Sequence, residues 1–459
     1  MKVSLKLKLI SVMLASIGMS GAASAAVSAA EADQLGKNLT QWGAEKAGNA
    51  AGTIPAHAPL PQDTSPPGWV KGSGRYEVGP YDNEKPLFTI TAANVSKYAE
   101  NLTAGQLELF KTYPAFRMHI YPTHRSEVWP SKEVSYCKKN ALNAKLVNAE
   151  GDGVEGAYSC IPFPIPKNGY EVIWNSYLRP IGYNSTAPLV TMVVTVNNRA
   201  IPAAIASAEN VHPYHDPAET SLKGDFYRKR ISRVLGPPYQ MGQVSLTWTP
   251  INYLKSDIVG FLYTPGQRRV RLAPNNSYDT PSPQNMGAIV FDEVNGQDGR
   301  LDRWDIKLLG KTEKYVQYNV HRLFNATVEE MIKTPFFINP DVTRWELHRV
   351  WVVELTLKNG KRHRDSRRTL YVDEDTWSVE ANDIYDQAGK INRVGFFPSI
   401  PLWDKQVSSL QAQQVYNLSK REYFMYTFRG NPPASQFQVE DTADLKKWTP
   451  AELERTGIR

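Results

Sequence analysis

The chain has 459 residues, with 53 Lys and Arg against 46 Asp and Glu, a formal charge of +7. So mixed a surface excludes a polyanion binder driven by net charge alone, though a mild basic excess helps at an anionic membrane surface. An aromatic content of 11% suits a β-rich protein with large side chains packed on its sheet.

Lys2, Lys6 and Lys8 precede the largely apolar run Leu9–Met19, and Ala23-Ser24-Ala25 supplies a small-x-small cleavage pattern. Residues 1–25 therefore read as a secretory signal peptide cut before Ala26. No cysteine follows that run, so no lipid anchor is expected, and no later stretch approaches the ~18 apolar residues of a membrane helix. The expectation is a soluble periplasmic protein whose charge falls from +7 to +4 when the leader and its three lysines are lost.

Residues 26–90 are rich in Ala, Gly and Pro and read as an extended arm; residues 91–459 read as one β-rich domain. Thr103 and Gln106 form a capping box that starts a short helix at Ala104. Cys137 and Cys160 predict one structural disulfide in an oxidising compartment, worth about 3 kcal/mol by chain entropy. Their spacing is not that of a C-x-x-C redox pair. GDGVEG at 151–156 lacks the Lys-Ser/Thr ending of a phosphate loop and a strand before it. Asn168 and Glu171 cap a second helix, whose buried side is marked by Val172, Ile173, Trp174 and Tyr177. In VHPYHDP, His212, His215 and Asp216 resemble part of a zinc site, but Pro213 and Pro217 predict an extended surface loop without further ligands.

Strands dominate the remainder. VSLTW places Leu246 and Trp248 together, GFLYTPGQRRVRL predicts a hairpin around Pro265-Gly266, and WDIKLLG aligns Trp304, Ile306 and Leu308. Thr327 with Glu330, and Thr449-Pro450 with Glu452, mark two more short helices. In WELHRVWVVELTL, alternation puts Trp345, Leu347, Arg349, Trp351, Val353, Leu355 and Leu357 on one face. Asn359-Gly360, the DEDT turn at 373–376 and Asp386–Gly389 then separate successive strands of an antiparallel meander. About ten strands are expected in all, a mainly β (α+β) fold.

Three candidate chemistries can be weighed. Asp373, Glu374, Asp375 and Asp386 fall at turns, where such side chains bond backbone amides, and Glu380 and Asp383 lie on a strand; no metal-binding spacing links them. The basic run KNGKRHRDSRR at 358–368 reads as a charged strand edge, with docking to an acidic surface as the functional alternative. No G-x-S-x-G is present, and no catalytic residue is identified. The largest signal is aromatic: Trp248, Tyr263, Trp304, Trp345, Trp351 and Trp377 fall on apolar strand faces that few helices are available to cover. They are the predicted lining of an apolar cavity, with Arg349 on the same face to meet a headgroup or fix a lid.

Five long phrases also resemble one family: LTQWGAEKAGNAAGTIPAH (39–57), EKPLFTITAANVSKYAENLTAGQ (84–106), IPFPIPKNGYEVIWN (161–175), YTPGQRRVRLAPNNSYDTP (263–281) and WELHRVWVVELTLKNGKRHRDSRRTLYVDEDTWSV (345–379). These are similar to the domain of unknown function 1329 family, although His57-Ala58 replaces the usual aromatic after TIPA. The resemblance implies a fold like the lipoprotein carriers LolA and LolB, a curved antiparallel half-barrel with helices on its concave side. It also implies an exporter of the resistance-nodulation-division type and an outer-membrane protein as partners. The combined expectation is a non-enzymatic carrier of a lipid, lipoprotein acyl chain or other hydrophobic molecule. It needs no cofactor, metal or nucleic acid, and peripheral membrane contact is allowed. A structural adaptor, or a hydrolase of envelope lipids or glycans, is the rival reading.

Overall fold

A computed structural model describes residues 27–61, 64–69, 79–273, 277–427 and 438–457. The expected signal peptide lies outside them. Sixteen strands join in one open, curved sheet, more than the ten expected. Two meanders build it. Asn184–Val194, Ala200–Val211, Phe226–Gly236, Val244–Pro250, Val259–Thr264 and Arg269–Leu272 pair in succession as antiparallel hairpins. Trp304–Gln317, Trp345–Leu357, Arg367–Asp373, Val379–Tyr385 and Ile391–Phe396 form the second meander. The late hairpin Gln413–Asn417/Glu422–Thr427 closes the gap, pairing with Ile391–Phe396 on one side and Asn184–Val194 on the other.

Register shows that the sheet is buried on both faces. Val352, Tyr371, Ala381, Phe396, Gln414, Met425 and Met192 form one cross-strand row. Apart from Gln414, all belong to a first apolar core, shared with Leu109 and Phe110 of the Ala104–Thr112 helix. The next row contains Val353, Leu370, Val415, Phe424 and Val193, and these belong to a second core. Successive strand residues point to opposite faces, so the two cores lie on opposite sides. Val172, Ile173, Trp174 and Leu178 of the Gly169–Leu178 helix complete the second core. The Cys137–Cys160 disulfide forms as expected and ties the Ser131–Asn143 helix to that core.

The expected helix starts at Thr103, Asn168 and Thr327 are present, each cap side chain accepting from the N3 amide. The single-face reading of Trp345–Leu357 requires correction. Trp345 and Leu347 pack in the first core, whereas Trp351, Val353 and Leu355 pack in the second. With both faces apolar, hydrophobic alternation cannot separate one from the other, and the 13-residue strand contributes to both cores.

Candidate functional site

The seven predicted lining residues are not brought to one space. Trp345 stands edge-on to Phe396 in the first core, with ring centroids 5.0 Å apart. Trp304, Trp351 and Trp377 belong to the second, where Trp351 stacks on Trp377 at 6.1 Å. Trp248 and Tyr263 join a third cluster around Leu246 and Trp448, covered by the Pro450–Gly457 helix. Arg349 donates to the Ala47 carbonyl at 3.0 Å and to Glu374 at 3.2 Å, which places it under the N-terminal arm.

The apolar space lies elsewhere. Between the short helices His321–Asn325 and Val328–Met331 and the sheet is a narrow apolar recess of about 10 Å³, room for roughly one water molecule. Leu323, Phe324, Met331 and Ile338 form its roof, and Ala412, Gln414, Met425 and Tyr426 its floor. The roof exists because the Thr327–Glu330 capping box starts a one-turn helix whose Val328 and Met331 face inward. Its polar ties include Asn198 Nδ2 donating to the Ile332 carbonyl at 2.8 Å, the Ile338 amide donating to the Tyr416 hydroxyl at 3.3 Å, and Arg322 donating to the Asp82 and Asp341 carbonyls. On the floor, the Gln414 and Gln317 amides bond each other at 2.8 and 3.3 Å, leaving an apolar pocket with one fixed polar group. Sequence reading missed this site because its roof is two short helices and their connections, which have no strand parity to read.

The second concentration is of buried charge. The DEDT acids do cap their turn, since Asp373 Oδ1 accepts from the Asp375 and Thr376 amides at 3.1 and 2.8 Å. They are not an exposed tip, however. Asp373, Glu374 and Asp375 are all buried, because the arm lies over them. Arg125 clamps Asp375 through Nε at 2.7 Å and Nη2 at 2.8 Å, and reaches the arm carbonyls of Glu45, Ala47 and Pro55. Lys311 bridges Glu374 at 2.7 Å and Glu45 at 2.9 Å, and Trp377 Nε1 donates to the Trp42 carbonyl. His348 is seated between Glu346 and the Tyr318 ring, stacked at 3.9 Å.

The electrostatics of this junction are uneven. Burial opposes ionisation of Glu346, but His348 and Arg344 hold its carboxyl down at about 2. Asp375 is likewise held low, by Arg125 against the effect of burial. Glu127 is pushed up to about 8 by burial, helped by the Asp375 and Asp373 charges. Burial and Asp373 push Glu380 well above the usual carboxylate range.

Two other sequence expectations change. His212 and His215 are buried, not on a surface loop; Tyr214 between them anchors the turn by donating to the Cys160 carbonyl at 2.7 Å. Burial brings the His215 imidazole down to about 4. The basic run at 358–368 is exposed at Lys361 and Arg362 but turns inward at His363 and Arg368, which meet buried acids. Asp386 is the simple turn acid expected, accepting from the Ala388 and Lys390 amides.

Residues 89–454 match the family described as protein of unknown function (DUF1329). The chain belongs to this family. A DUF1329 chain of this length is also 39% identical over 444 residues to the uncharacterized protein PA3922 of Pseudomonas aeruginosa, covering 95% of both. Among solved structures, a DUF1329 family protein from Desulfovibrio piger matches 62% of this chain and 97% of its own, with 14% identity and a TM-score of 0.42. A putative outer membrane lipoprotein-sorting protein domain from Vibrio parahaemolyticus gives 62% and 98% coverage, 12% identity and 0.42. The LolA superfamily protein NE2245 from Nitrosomonas europaea gives 62% and 98%, 9% and 0.36. Among the described residues, no helix of this DUF1329 protein is long and apolar enough to cross a membrane.

Proposed function

We propose that this DUF1329 protein is a periplasmic, non-enzymatic carrier that holds an acyl chain or similar hydrophobic molecule between the 321–338 roof and the sheet. The observation that carries the reading is the apolar recess itself, lined by Leu323, Phe324, Met331, Ile338 and Met425 and roofed by two short helices. Its internal volume of about 10 Å³ lies far below the ~300–1,000 Å³ of a formed ligand site, so in this proposal the roof must swing outward for a chain to enter. Each buried methylene contributes about 0.8 kcal/mol, before the cost of ordering the chain. Release requires an acceptor that binds the cargo more tightly, since a carrier shifts an equilibrium only by differential affinity. An exporter of the resistance-nodulation-division type as source and an outer-membrane protein as receiver belong to this proposal through the family resemblance. Residues 91–459 act in it as one domain with the arm as a brace, and the aromatic residues of the three clusters keep the sheet rigid.

The test is organic extraction of gently purified protein with mass spectrometry, followed by titration with a fluorescent fatty acid. The expected result is an apolar molecule near one per chain, with probe binding that Met425→Trp weakens at least tenfold by filling the recess. An empty, folded protein that takes up no probe overturns the carrier and favours the adaptor.

A further inference from the structure

We infer that His348, Asp373 and Asp375 form a buried site for one divalent cation of the zinc class. One nitrogen from His348 and one oxygen from each carboxylate lie within 4.8 Å of one another. Ligands at the ~2.1 Å of zinc sites stand roughly 3.4 Å apart when tetrahedral, so small side-chain rotations close the three around one ion.

An independent observation points to a ligand. Asp373 Oδ2 is fully enclosed and accepts no hydrogen bond from any described group. It faces His348 Nδ1 at 3.7 Å, too far for a hydrogen bond. Asp373 Oδ1, by contrast, is saturated by the turn amides and the Thr376 hydroxyl. An enclosed carboxylate oxygen left bare costs a few kcal/mol, so it calls for a cation.

The surroundings have the form of a metal site's outer shell. His348 Nε2 is bonded to the Glu346 carboxylate at 3.2 Å, which holds the ring with Nδ1 turned toward Asp373. Arg125 holds both oxygens of Asp375, taking one acceptor position on each and leaving the other free. Charge is complementary as well. Arg344 answers Glu346, Arg125 answers Asp375, and Arg349 with Lys311 answers Glu374. Asp373 faces His348, and Glu127 and Glu380 face Arg179. One imidazole and two carboxylates suit zinc, with a fourth position for water.

The full chain is stripped with chelator, dialysed, and titrated separately with Zn²⁺ and Co²⁺. The expected result is one ion per chain by elemental analysis, the visible band of four-coordinate Co²⁺, and a higher melting temperature with Zn²⁺. Asp373→Asn weakens binding at least tenfold, while Asp386→Asn on an exposed turn leaves it unchanged. Failure of folded wild-type protein to take up stoichiometric Zn²⁺ or Co²⁺ overturns the site, as does unchanged affinity in Asp373→Asn. If that variant does not fold, proton NMR of Co²⁺-loaded wild type decides: a shifted imidazole resonance supports the site, and its absence overturns it.

Discussion

Two buried charged networks sit about the Arg367–Asp373 strand, and they are solved differently. In the first, Arg368 bonds Asp292 and Asp365 at 2.8 Å each, Arg393 bonds Asp365 at 2.9 Å and Glu293 at 3.1 Å, and His363 bonds Asp292 at 3.0 Å. Gln297 takes a further Arg368 donor, and none of these acids has an unbonded enclosed oxygen. In the second, around His348, Asp373 retains an unbonded enclosed oxygen. A closed network fixes geometry, because each charge is held by several partners. An open one leaves capacity for something else, such as an ion, a proton or a movable arm.

Breaking the closed network should have the largest effect. Arg368→Met removes the one guanidinium shared by Asp292 and Asp365, leaving two buried carboxylates under-compensated. The expected loss is about 3–5 kcal/mol, read from urea unfolding. A loss under ~1 kcal/mol would mean that Arg393 and His363 already suffice.

The open network should respond in the opposite direction. Burial lifts the Glu127 carboxyl in the folded protein to about 8, above the 4.5 of an exposed glutamate. The native state therefore holds a proton that the unfolded chain releases, and stability falls as pH rises from 4.5 through 8. Glu127→Gln keeps the shape of the protonated acid and an oxygen for the Ser408 hydroxyl, which donates at 2.9 Å. It should stabilise the protein at pH 7 by about 2–3 kcal/mol, with the gain vanishing below pH 4.5. Denaturant melts across this range check it; a variant destabilised at every pH would mean that the ionised form is native.

How much of this was legible depended on the period of the signal. The capping boxes at Thr103 and Thr327 and the Asn359-Gly360 turn are local, and each appears where the sequence places it. The joining of two meanders through Glu422–Thr427 and Asn184–Val194 is not local, and nothing in either strand encodes its partner. Trp345 and Trp351 read as one face because alternation reports only which residues are apolar, and both faces here are. The Asp373 turn was legible as a turn. Its burial was not, since that depends on Arg125, 250 positions from Asp375, and on the Glu45 amide of the arm, 329 positions from Glu374.

Asp383 offers a third solution, and the smallest of the expected effects. Among the described residues no cation is bonded to it: Thr103 Oγ1 donates at 3.1 Å and the Tyr371 hydroxyl at 2.9 Å, beside the first amides of the Ala104–Thr112 helix. Burial outweighs these neutral donors and lifts its carboxyl to about 6. Thr103 thus serves twice, accepting from the Gln106 amide at 3.0 Å and donating to the acid. Thr103→Ala should cost about 1–2 kcal/mol, a lost cap plus a lost donor. Thr103→Ser retains both bonds and should lose less than ~0.5 kcal/mol, because only a methyl group is removed. If the two variants lose equally in urea melts, the methyl packing dominates. If Ala alone loses, hydrogen bonds from neutral groups suffice to hold a buried acid, and the neighbouring open network stands out as the place where they do not.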